Sequence, residues 1–318
     1  MNKQLKLVLK IAVISVAALM SLILLFLGGL NIAKFAIYSD YYSIKSNVCT
    51  NPGLNDGFVC QGLCAVEDEN VFLVSGYMND DSPSRVYITD TDNKSRYVTL
   101  TEGGKSFTGH AGGIACNGNT VYIANDEKIY ILSLDTLLAT KHGKSVELGE
   151  GVPVNNSASF VYADDGHVYV GEFHDNEKYV TDHPYDTPDG TYYAIVSRYS
   201  HNDLTKPDKV YSIRNKVQGI CFTPDGKVVL STSYGLADSV YYVYNEADAI
   251  LSEHTLDGAP VYYLNNCKAE LKGPAMAEGL DYYDGKVITL TESASNKYIF
   301  GKFFYADKIV ALDFNKLK

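Results

Sequence analysis

Five near-copies of one eighteen-residue pattern run through this chain, and they constrain its fold more than any other feature. They are "CQGLCAVEDENVFLVSGY" (60–77), "HAGGIACNGNTVYIANDE" (110–127), "SASFVYADDGHVYVGEFH" (157–174), "VQGICFTPDGKVVLSTSY" (217–234) and "MAEGLDYYDGKVITLTES" (276–293). Aligned on Gly62-Leu63, Gly113-Ile114, Ser159-Phe160, Gly219-Ile220 and Gly279-Leu280, the copies recur every 46–60 residues. A unit of that size cannot bury its own apolar face and needs neighbours of the same kind.

Each copy reads as a strand, a polar turn and a second strand. The turns include Asp165-Gly166, Asp225-Gly226 and Asp284-Gly285, a dipeptide that supplies the positive φ a tight hairpin needs. A third strand follows ("RVYITD", "KIYILSL", "YAIVSRY", "VYYVYN", "KIVALDF"), then a fourth ("YVTLT", "SVELG", "KVYSI", "PVYYL"). Four short antiparallel strands at this period are a β-propeller blade. The expected fold is therefore an all-β, five-bladed propeller, with six blades as the alternative. The last unit lacks an outer strand, and "YYSIKSN" (41–47) resembles the outer strand "VYSIRNK" (210–216). The N-terminal segment 41–47 is thus expected to pair with 307–314 and close the ring.

Ahead of the repeats the composition changes. Residues 11–33 carry no charge, with Lys3, Lys6 and Lys10 before them and Lys34 after. That run is long enough to cross a bilayer as a helix, and it exceeds the apolar core of a cleaved signal peptide. The lysine excess places the N-terminus inside. The expected organisation is a cytoplasmic segment 1–10, an anchor 11–33, a linker 34–40 and an extracytoplasmic propeller over 41–318. The net charge of −11 argues against a nucleic-acid partner, which requires clustered cations. Six cysteines (49, 60, 64, 116, 221, 267) match no metal spacing, and free buried thiols and disulfides both remain open.

Propeller topology restricts where chemistry can sit. The loops between second and third strands are long (roughly 77–84, 173–191, 234–238 and 293–306), and long loops on one face of a rigid scaffold are where ligands bind. At that mouth the starts of the first strands supply Gln61, His110, Ser157, Gln218 and Glu278. The ends of the second strands supply Ser75, Asn125, Glu172, Thr232 and Thr291, with Asp126 and Glu292 beside them. The candidate ligand-binding residues are Gln61, His110, Asn125, Ser157, Glu172, Gln218, Glu278 and Glu292. Glu278 with Glu292 and the neighbouring amide oxygens is a candidate site for a divalent cation such as Ca²⁺, against a role for Glu278 in capping backbone amides. His174 and His183, in an acidic Tyr-rich loop, read as solvated surface.

The stretches "PGLNDGFVCQGLC", "GHAGGIA" and "MAEGLDYYDGKVITLTESASNKY" resemble an uncharacterised family of bacterial secreted or membrane-anchored β-propeller proteins. More distantly, the blades look like gluconolactonase and strictosidine-synthase-like propellers. That likeness implies a channel-bound divalent metal held by Glu, Asp and Asn, with Glu278 and Asn125 where such ligands would lie and Gln and His in place of others. Two function classes follow. One is a membrane-anchored binding module that takes a surface glycan, peptide or protein at its mouth. The other is a metal-assisted, lactonase-like hydrolase working in the channel.

Overall fold

Each repeat folds as the alternating pattern requires, into two antiparallel strands joined at its polar turn. In the computed structural model, which describes residues 3–317, the five innermost strands are Phe58–Val66, Gly113–Asn117, Phe160–Ala163, Val217–Phe222 and Ala277–Tyr283. Each pairs with a second strand (Val71–Met78, Thr120–Asn125, His167–Gly171, Lys227–Thr232, Lys286–Thr291) and then a third (Arg85–Thr89, Lys128–Ser133, Ala194–Ser200, Ser239–Asn245, Lys308–Leu312). The result is a five-bladed propeller with the inner strands around a common axis.

The repeated glycines have a steric cause. A Cβ on Gly62 would lie 2.4 Å from the backbone nitrogen of Ile114 in the next blade. One on Gly219 would lie 2.9 Å from that of Leu280, and one on Gly279 would lie 2.7 Å from that of Leu63. At these glycines neighbouring inner strands meet backbone to backbone, leaving no room for a side chain. Serines on second strands add latches across the seams: Ser75 Oγ donates to the Ala111 carbonyl (2.8 Å) and Ser231 Oγ to that of Glu278 (2.8 Å). Replacing Gly62 by alanine is expected to lower stability by about 3 kcal/mol, the upper range for overpacking against a backbone that cannot yield. Denaturant unfolding measures it, and a loss below about 1 kcal/mol would show that the seam relaxes.

In the third blade the sequence alignment slips by one residue. The Ser159 amide donates to the Gly171 carbonyl as the Gly112 amide does to that of Ala124. Ser159 therefore stands where Gly112 does, and Phe160 where Gly113 does.

The outer strands depart further from expectation. "YVTLT" and "KVYSI" are the fourth strands of blades one and three, within Ser95–Glu102 and Lys209–Ile213. "SVELG" and "PVYYL" are not fourth strands of their own blades. Ser145–Leu148 runs parallel along Ser95–Glu102, and Ala259–Tyr263 runs parallel along Lys209–Ile213, each on the rim of the preceding blade. There they cover edges that would otherwise expose unpaired backbone groups. The fourth strands of blades two and four are instead Val152–Pro153 and Ala269–Gly273. Period-two patterning identifies a strand but not its partner.

The ring closes through the N-terminal segment, with a shifted boundary. Lys45–Thr50, rather than 41–47, pairs antiparallel with Lys308–Leu312, from Lys45 opposite Leu312 to Thr50 opposite Lys308. Residues Ser39–Ile44 form a short helix whose Tyr41 and Ile44 are buried. Their three-residue spacing puts both on one helical face, and the Tyr41 ring stacks on Tyr241 at 6.3 Å. Before it, one helix spans Lys3–Ile37, so the helix continues through most of the expected linker. It is long and apolar enough to cross a membrane, a property that a signal sequence near the N-terminus shares.

The core lies between blades, in clusters of Val, Ile, Leu and Tyr. All six cysteines are free thiols. Cys49, Cys60, Cys64 and Cys221 are buried within strands.

Candidate functional site

At the mouth where the long loops gather, the channel widens into a cavity of about 760 Å³. Seven of the eight residues singled out from the sequence line it: Gln61, His110, Asn125, Ser157, Gln218, Glu278 and Glu292. They converge because each stands at the start of an inner strand or the end of a second one. In this fold those positions meet at one end of the axis.

Glu172 is the exception. It is buried outside the cavity, where its carboxylate accepts from the amides of Ser157 (3.3 Å) and Ile195 (3.2 Å) and from His183 Nδ1 (2.9 Å). The long third-blade loop is largely exposed, as its composition suggests, but it turns His174 and His183 inward rather than into solvent. His174 is buried, hydrogen-bonded to Thr181 and Asn176 and stacked on Tyr193. Burial pushes the His183 pKa down, but the Glu172 carboxylate outweighs it and the net direction is up.

The centre of the cavity is a pair of acids. Glu278 projects from the fifth inner strand and is 3 % exposed. Burial drives its pKa well above the usual carboxylate range, and the nearby Glu292 pushes it further. Burial lifts Glu292 to about 7, against the opposing pull of Tyr298, Lys297 and Gln61. Near neutrality such a pair retains a proton, because two carboxylates cannot both ionise cheaply in a low-dielectric recess.

The amides serve these acids. Gln61 Nε2 donates to Glu292 Oε2 at 2.9 Å and Gln218 Nε2 to Glu278 Oε1 at 3.4 Å. Asn125 Oδ1 accepts from the Ala111 amide at 3.1 Å, and its Nδ2 donates to Asp126 at 2.9 Å. This donor chemistry does not fit the divalent-metal site implied by the lactonase-like resemblance. The two glutamines present N–H groups to the carboxylates, and the Asn125 oxygen is already engaged. Among the described residues no group of three or more His, Cys, Asp and Glu is placed to hold an ion.

The walls come from Tyr77 at the end of a second strand and from loop residues that strand patterning passed over. Tyr77, Phe173, Tyr179, Tyr234 and Tyr298 face the cavity with Lys178 and Lys297. The Lys297 ammonium donates to the Tyr77 hydroxyl and sits 4.4 Å from that ring's centre. Tyr77 and Tyr298 hydroxyls are 3.3 Å apart. His110 lies over Tyr77, ring centres 4.4 Å apart. Enclosure by the cavity, together with Lys297, lowers its pKa. Ala158 and Met276, also in the lining, hold positive φ of 44° and 66°. Non-glycine residues seldom adopt that conformation, and it clusters at binding sites. The one available sequence signal was proximity: Tyr77 closes its repeat, and Lys297-Tyr298 follow the last one within "ESASNKY".

No protein-family model matches the sequence, and no curated protein matches it. Several solved structures match it at low identity. Hydrazine synthase of Kuenenia stuttgartiensis is 11% identical over 73% of this chain, with a TM-score of 0.39, and this chain spans only 56% of it. The PQQ-bound aldose sugar dehydrogenase of Streptomyces coelicolor is 16% identical, covers 77% of this chain and 76% of its own, and scores 0.43. BamB of Moraxella catarrhalis is 10% identical, covers 80% and 82%, and scores 0.33. The five-bladed arrangement stands on the strand pairing itself, and these likenesses carry no argument about activity.

Proposed function

We propose that the protein is a membrane-anchored, extracytoplasmic binding module whose channel mouth holds a neutral, hydroxyl-rich ligand such as a glycan. The observation that carries this reading is the composition of the cavity. Five aromatic rings form walls around a floor of amides and carboxyl groups that remain partly protonated. Rings offer flat apolar surface, and the floor both donates and accepts hydrogen bonds, its residual negative charge opposed by Lys297 in the wall. The uncharged run over 11–33, with its excess of lysines on the N-terminal side, supports an anchor that leaves the mouth outside the cytoplasm.

The test is a thermal melt and titration of the full chain in detergent against neutral oligosaccharides, with chitobiose, cellobiose and maltotriose as probes. Tyr298→Ala is expected to weaken the best ligand about tenfold, the effect of losing one hydrogen bond and one ring face. A panel in which no sugar raises the melting temperature would remove the reading.

One observation supports a second reading. Two carboxyl groups whose environments drive both pKa values upward, with Glu292 at about 7, are an acid–base pair of the kind hydrolases use. Glu278 would donate the proton and Glu292 would accept one. Glu278→Gln separates the two readings, since it keeps hydrogen-bonding capacity but removes the transferable proton. Retained binding with lost turnover identifies an enzyme, and retained binding with no turnover in either protein identifies a module.

A further inference from the structure

The long helix does not merely precede the propeller but packs against its mouth. Phe26 meets Phe303 edge to face at 6.4 Å, and Lys34 Nζ donates to the Tyr305 carbonyl at 2.5 Å. Tyr38 packs on Phe304 at 5.8 Å, and its hydroxyl donates to Asp238 at 2.8 Å. Those partners lie in the 293–306 and 234–238 loops, the loops that also carry Lys297, Tyr298 and Tyr234 into the cavity wall.

This packing fixes a depth. Phe26 lies seven residues before the end of the uncharged run at Ala33, about 10 Å along a helix axis. A loop that touches Phe26 therefore reaches as far into the bilayer as the helix's last two turns. Its sequence suits that place. "IFGKFFY" (299–305) leaves Ile299 76% and Phe300 62% exposed, and on the neighbouring loops Val180 is 69% and Leu236 54% exposed. Lys302 lies within the aromatic segment and Lys34 beside its end at Tyr305, long cations able to reach lipid phosphates while their stems stay in apolar surroundings. Clustered aromatic and aliphatic tips beside lysines match the interfacial layer of a membrane.

We infer that the mouth of the propeller docks on the bilayer through which its own helix passes, with the 299–305 loop, Val180 and Leu236 inserted in the interfacial layer. The candidate site then opens at the lipid surface, within reach of groups displayed on lipids. The inference rests on the anchor reading above.

The chain contains no tryptophan, so single-tryptophan variants of the full protein report depth directly. Phe300→Trp, Leu25→Trp on the lipid-facing side of the helix, and Asp165→Trp on a turn at the opposite mouth are reconstituted in phosphatidylcholine vesicles. The acyl chains are brominated toward the headgroup or left unmodified. Phe300→Trp and Leu25→Trp are expected to lose roughly half or more of their emission in brominated lipid, and Asp165→Trp almost none. A quenched Leu25→Trp with an unquenched Phe300→Trp would overturn the docked mouth and leave the anchor intact. An unquenched Leu25→Trp would overturn both. Quenching of Asp165→Trp as strongly as Phe300→Trp would also overturn the docking, since no single face would then be inserted.

Discussion

Removing residues 1–50 is expected to lower the melting temperature by about 10 °C or more relative to removing only residues 1–34. Both truncations delete the apolar segment, so the difference isolates the closing strand and the short helix before it. The longer truncation strips Lys45–Thr50 from Lys308–Leu312 and exposes the outer edge of the fifth blade. It also removes Tyr38, Tyr41, Ile44 and Cys49, all buried. At roughly 1.5–3 kcal/mol per large buried apolar side chain, the loss is on the order of 5 kcal/mol before the ladder hydrogen bonds are counted. Tyr41 and Ile44 pack with strands of blade four, while Lys45–Thr50 completes blade five, so the segment ties two blades together. Coincident melts of the two truncated proteins would mean that the ring holds without its closing strand.

The parts of this fold that the sequence made legible were those set by local periodicity and by sterics on the axis. Gly62, Gly113, Gly219 and Gly279 recur because neighbouring inner strands leave no space for a Cβ, and that constraint prints itself on the sequence at four blades, the third carrying Phe160 instead. Partner choice left no such mark. "SVELG" and "PVYYL" alternate as well as any outer strand, yet both lie on the preceding blade because that blade offers an uncovered edge. The closing segment misled for a related reason. "YYSI" looks like strand material, but Tyr41 and Ile44 find their burial against Tyr241 as a helix turn. At the mouth, topology identified the floor of the cavity because strand ends must converge there. The walls escaped, since Phe173, Tyr179, Tyr234 and Tyr298 sit in loops whose course depends on tertiary packing. Glu172 and His183 show the same limit: the ion pair between them forms only when the loop folds back.

The protein is expected to lose stability as pH rises from about 4.5 to 8, by roughly 3 kcal/mol. Three carboxyl groups titrate high: Glu278 in the cavity, raised well above its ordinary value, Glu292 beside it, and Asp281 farther along the fifth inner strand, where it accepts from the Ala65 amide, the last two each raised to about 7. Burial is the first cause in each. An acid whose folded pKa exceeds its unfolded one keeps a proton that the unfolded chain has already released. The folded state is therefore favoured most at or below the ordinary value of 4.5 and progressively less as pH climbs through the folded values. Full shifts of that size would give more than 3 kcal/mol, and solvent reaching Glu292 from the cavity reduces the figure. His183, whose pKa is raised by Glu172, acts in the same direction, while His110, with its lowered pKa, opposes it. Replacing Glu278 and Glu292 together by glutamine keeps the volume and hydrogen-bonding capacity of the pair but removes its titration. The double variant should match wild type near pH 5, exceed it by about 2 kcal/mol at pH 8, and retain roughly half or less of the pH slope. The measurement is urea unfolding across that range, with the slope compared between the two proteins. Parallel slopes would mean that the acids titrate as exposed groups do, and the protonated floor on which the cavity's ligand chemistry rests would be lost with them.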